Sequence, residues 1–298
     1  MKNARADVEA PESSRPEFET VAKPRRGIVA WAAVVVAIAA VYAPVLRELG
    51  RDWIRDPNYS HGVLIPFISA YLIWRQRHTL AELPRSPATA GLWGILAGAG
   101  LLVLGTAAAE VFTQRVSFLV LIASTVLFLL GWRWLRALAF PIALVFLAIP
   151  LPYVLYYSLT SPLQAFAARC AVLGLKILGV PVVAQGNVLH LPDTSLEVAE
   201  ACSGIRSLYA FLALGALLAY SMAIPATGRI LVFLATIPLS VLANAFRVWT
   251  TSLGAYFIGP QVAQGLVHEL FGVIIFVSAF GLFVLIRKGA RTLWDSGR

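Results

Sequence analysis

Apolar residues in this chain do not alternate with polar ones; they come in long blocks, with the charged residues between them. The blocks lie near residues 27–46, 61–74, 88–110, 116–131, 134–155, 203–221, 229–250 and 270–286. A hydrocarbon layer about 30 Å thick takes roughly 20 apolar residues of helix to cross. The pattern therefore predicts an all-α polytopic membrane protein with about eight transmembrane helices. Residues 1–26 precede it, polar and proline-containing, with Lys23, Arg25 and Arg26 at their end. They read as a disordered cytoplasmic leader. The block that follows is too long for a signal peptide and has no small-residue cleavage site ahead of a soluble domain, so it is expected to be the first anchor.

One stretch departs from this plan. Between 156 and 202, Leu163, Phe166, Cys170, Leu173 and Ile177 recur at helical spacing, while Arg169 and Lys176 share another face. This predicts an amphipathic helix lying in the membrane interface, ended by Gly179 and Pro181. Residues 182–184, 188–191 and 196–199 then read as short strands, joined by turns at 185–187 and 192–195. A small extracytoplasmic β-element is expected just before Cys202. No internal repeat is evident, which removes support for a transporter built from inverted halves.

Composition narrows the class. The 298 residues are 59% hydrophobic and 13% charged, with mean hydropathy +0.78. A soluble domain carries about a quarter charged residues. The net charge of +9 invites a nucleic-acid partner, but the cations flank apolar blocks, so the lipid bilayer is the expected partner. Of the 24 Lys and Arg, 16 fall in the leader, the loops holding Arg75, Arg85, Arg133 and Arg229, and the C-terminal end. The positive-inside rule then puts both termini in the cytoplasm, with 289–298 as a cytoplasmic tail. Two cysteines are too few for a disulfide framework. No Cys, His, Asp and Glu cluster has metal-ligand spacing, and no cofactor is expected.

The candidate chemistry collects at one membrane edge. Cys202 lies at or just before the sixth block, where the positive end of a helix favours a thiolate. Ser203 and Gly204 read as cap residues, and Arg206, four positions on from the cysteine, is expected on its helical face. Arg247 closes the next block, with Asn244 one turn earlier. A fork of donors there suits an oxyanion or a carboxylate, although an arginine at a helix end also serves as an interfacial anchor. His268 opens the last block and is a candidate proton carrier. His61, at the start of the second block, has similar standing. Cys170 sits on an apolar stripe and reads as packing; His78 and His190 receive no role. A bridge between Cys170 and Cys202 would leave no thiolate at the site.

The segments DPNYSHGVLIP (56–66), IPLPY (149–153), QGNVLHL (185–191), EVAEACSGIRSL (197–208), NAFRVW (244–249) and HELFGVIIF (268–276) together resemble the exosortase/archaeosortase family of membrane transpeptidase-like enzymes. The resemblance implies one exosortase-type domain over 27–288, with a Cys–Arg–His site on the periplasmic face. Cys202 would be the nucleophile, Arg247 the oxyanion or substrate stabiliser, and His268 the general acid/base. Arg206, Asn244 and Ser203 would support them, and Tyr59 and His61 belong to a family motif. Archaeal relatives can carry arginine in place of the histidine, so His268 points to a bacterial inner membrane. The implied substrates are exported proteins ending in a Pro-Glu-Pro motif, a transmembrane helix and a basic tail (a PEP-CTERM-like signal). They would be released, or transferred to an acceptor nucleophile that the resemblance does not name. Some bacterial members carry a further soluble domain after the last helix. This chain runs about 12 residues beyond its last block, so that domain's function is expected to come from another protein or to be absent.

Two other classes fit the residues. A thiol acyltransferase would also use an outward cysteine and a nearby base, and would carry fatty acyl on Cys202. A transporter or structural membrane protein would use Arg206 and Arg247 to line a pathway and would tolerate loss of the cysteine.

Overall fold

The computed structural model describes residues 25–198 and 204–296. The chain falls into two compact units, Met1–Ala43 and Pro44–Arg298. In the first, the described residues are helical and expose Val35, Val36 and Val41. Helix α1 (Arg25–Arg55) runs through the boundary at Pro44 and onward through Arg47, Glu48, Arg51 and Asp52. The expected loop after residue 46 is thus helix, because Arg, Glu and Leu are good helix formers whatever their hydropathy.

In the second unit, a 3-10 turn (Pro57–Val63) leads into α2 (Leu64–Arg75). Asp56 caps the turn by accepting from the Asn58 amide, and Pro57 occupies a position where its missing N–H costs nothing. After α3 (Arg77–Glu82), α4 (Ala90–Ala107) and α5 (Val111–Leu130) form a tight pair. Gly91, Gly98 and Gly105 are buried on one face of α4, and any Cβ on Gly91 would run into the Phe128 backbone. Small residues at this spacing let two membrane helices approach closely.

The block expected over 134–155 is two helices. α6 (Trp132–Phe146) stops before Pro150 and Pro152, and α7 (Tyr153–Ile177) starts after them. Proline supplies no N–H and disfavours helix in the residue before it. α7 is the helix expected in the interface. Its small face, Ala167, Ala168 and Ala171 with Leu175, is buried against α9, whereas Phe166, Leu173 and Ile177 stand exposed. Cys170 packs at the edge of that core as a free thiol.

Strands β1 (Val183–Gln185), β2 (Val188–Leu191) and β3 (Thr194–Glu197) form an antiparallel sheet in sequence order. Leu189 faces Ala184 on one side and Leu196 on the other. Leu189 and Leu191 are buried in the core that α7 and α9 share, so the sheet is a wall of the bundle's end. The last three helices, α8 (Ile205–Tyr220), α9 (Ala226–Phe257) and α10 (Gly265–Ser296), pack around Phe211, Val232, Ala279 and Phe283. A second 3-10 turn (Pro260–Ala263) joins α9 to α10.

Five helices among the described residues are long and apolar enough to cross a membrane: Ala32–Arg55, Ala90–Ala107, Val111–Leu130, Ala226–Phe257 and Gly265–Thr292. The remaining apolar helices are shorter, α8 among them. The fold is a mostly helical, multi-pass bundle with one small sheet.

Candidate active site

The nearby ends of α8, α9 and α10 and the 57–63 turn enclose a cavity of about 430 Å³. Ser60 and His61 come from the turn, Arg206 and Ser207 from α8, Arg247 from α9, and Glu269 and Gly272 from α10. Cys202 and Ser203 lie outside the described residues. Gly204, the next residue in the chain, lines the cavity.

Arg247, on the cavity wall, contacts His268. A guanidinium nitrogen of Arg247 lies 2.8 Å from His268 Nε2. A guanidinium can only donate, so Nε2 accepts and the ring proton sits on Nδ1. Arg247 is held there by Gly272: a Cβ on that glycine would stand 2.8 Å from the guanidinium carbon and 2.9 Å from its Nη2. Its Nε is buried and has no partner among the described residues. The expectation that Arg247 ends a helix is corrected, because α9 continues to Phe257. It stands inside a long helix, where a charge is costly unless it is used.

Helix α8 begins at Ile205, and Gly204 caps it in the left-handed conformation, φ +80°. Arg206 therefore lies in the first turn of α8, and its expected facing with Cys202 involves a residue outside the described ones. Gly204 sits against Asn244: a Cβ would come within 2.8 Å of the amide, in a conformation side chains rarely adopt. Asn244 is buried on α9 and packs on the backbone just after the cysteine motif.

The 57–63 turn supplies partners that sequence reasoning missed. Asn58 Oδ1 accepts from Arg206 Nε at 3.4 Å, while Asn58 Nδ2 donates to the Tyr156 hydroxyl at 3.3 Å. The Asp-Pro-Asn string was the available signal, since its capping turn fixes the asparagine. His61 stacks on Tyr209 with ring centres 5.9 Å apart, and its Nε2 lies 3.2 Å from the Leu147 carbonyl. Burial lowers its pKa below the ordinary imidazole value, against the pull of the Leu147 and Asn58 backbone hydrogen bonds. Tyr59 packs edge-on to Tyr209, and burial pushes its phenol up to about 12. Tyr59 is thus a packing residue that keeps its proton. His190, which was assigned no role, lies 2.8 Å across the sheet from Ser195 Oγ.

These features define a multi-pass membrane protein with a cation-rich cavity at one end of its bundle. The comparison with protein families identifies it further: residues 53–285 match the transmembrane exosortase family (Exosortase_EpsH), and the chain belongs to that family. Comparisons with curated proteins and with solved structures each found no match.

Proposed function

We propose that this protein is a cysteine peptidase or transpeptidase of the bacterial inner membrane, cleaving the C-terminal sorting signal of exported proteins. Family membership supports the class. The observation that carries the mechanism is the contact between His268 and Arg247, which lines a cavity that Gly204 also lines. In this reading Cys202 is the nucleophile, and Ser203 and Asn244 are supporting groups.

The contact suggests an order of events. With Nε2 occupied by a guanidinium proton, His268 cannot accept one from a thiol. A substrate carbonyl entering the cavity offers Arg247 a better acceptor, and moving the guanidinium onto it frees Nε2. The thiolate then attacks the carbonyl carbon, and Arg247 stabilises the oxyanion. His268 passes the proton to the departing amine, leaving a thioester on Cys202. Water or an acceptor nucleophile attacks that thioester and regenerates the thiol. Arg206, oriented by Asn58, contributes a second cation to the same cavity. The active end faces the periplasm, and both termini face the cytoplasm.

The test is processing of a membrane-anchored reporter with a Pro-Glu-Pro tail, co-expressed with wild type or Cys202→Ala. The cleaved band is expected only with wild type, at equal membrane levels of both proteins. Equal cleavage in the two would sink the thiol mechanism.

A further inference from the structure

A second pair of cavities lies away from this site, and the two meet at Arg115. One, about 500 Å³, is polar and formed by the ends of α1 and α5 and the segment between α6 and α7. The other, about 360 Å³, is apolar and runs between α1, α2, α5 and α6. The aromatic cluster of Tyr59, Tyr156 and Tyr209 with Trp53 and Leu151 sits beside the 57–63 turn that borders the active-site cavity.

Arg115 is only 5% exposed although α5 is apolar. Asp52 takes one of its donors at 2.6 Å. Its Nε is buried with no partner. Both cavities count Arg115 among their lining residues. Ser69, on the wall of the apolar cavity, is also buried with an unpartnered hydroxyl. In a membrane such groups are costly unless something hydrogen-bonds to them. The polar cavity brings Arg51 and Arg55 together with Glu48 and Glu110. The apolar one is walled by Leu49, Phe118 and Ile149.

We propose that this double cavity binds a phospholipid with a phosphate and an ammonium in its headgroup. The phosphate takes the donors that Asp52 leaves on Arg115, together with Arg51. The ammonium faces Glu48 and Glu110. One acyl chain follows the apolar cavity, with a glycerol ester carbonyl accepting from Ser69. Mixed charges in the outer part favour a zwitterionic headgroup over a purely anionic one.

The experiment uses the full chain in a mild detergent and reads its thermal unfolding midpoint against added short-chain phosphatidylethanolamine. The lipid is expected to raise the midpoint of wild type. Ala70→Trp, at the rim of the apolar cavity, leaves the Arg115–Asp52 pair intact and is expected to shift the half-saturating lipid concentration at least fivefold upward. Arg115→Gln should do the same if it folds. An unchanged response in Ala70→Trp would overturn the proposal. So would equal stabilisation by phosphatidylglycerol, or by glycerophosphoethanolamine, which has no acyl chains.

Discussion

At the scale of single residues, the site depends on two glycines that leave room for other side chains. Gly272 lies against the Arg247 guanidinium, so a methyl group there displaces the arginine rather than the helix. Gly272→Ala is expected to cut reporter processing about tenfold or more, as a misplaced oxyanion donor does. The unfolding midpoint should stay close to wild type, since α10 gains helix propensity. A normal processing rate in that variant would remove Arg247 from the mechanism. Arg247 and His268 were candidates by residue type and position, with His61 of similar standing, and took their roles from the family resemblance. Gly272 and Asn58 were not, because their importance lies in contacts with residues far away in the chain: Asn58 meets Arg206 across 148 positions.

At the scale of elements, the 57–63 turn is the joint between the site and the bundle. It carries His61, whose half-buried imidazole stacks on Tyr209. Burial disfavours the charged ring, so the folded state binds fewer protons there than the unfolded chain. Stability is therefore complete above the ordinary value of about 6.5 and falls as pH drops through it toward the lower folded value. Thermal unfolding at pH 7.5 and pH 5.5 should show this acid loss in wild type and a smaller one in His61→Gln. An equal loss in both would mean that another group is responsible. Hydropathy located the helices but not their ends. It stopped α1 at its first charges, although the helix continues, and it ran through Pro150 and Pro152, where the backbone breaks.

At the scale of the whole molecule, the apolar blocks predict about eight crossings, whereas five helices among the described residues are both long and apolar enough. The difference is geometric. Helix α2 has 12 residues, about 18 Å at the usual rise. That is shorter than a bilayer core. Charge asymmetry predicts that a topology reporter fused after Asn187 reads outside and one fused at the C-terminus reads inside. The reverse result at 187 would move the site to the cytoplasmic face.

The contact between Arg247 and His268 also bears on how such a protein sits in a living membrane. A peptidase kept permanently among other proteins and facing water risks stray cleavage between its proper turnovers. Here the group that would start the reaction is held by the group that would complete it. Only a partner able to draw off the arginine releases both at once. Idle safety and selectivity are then the same property, and loosening this one contact should make processing both slower and less discriminating.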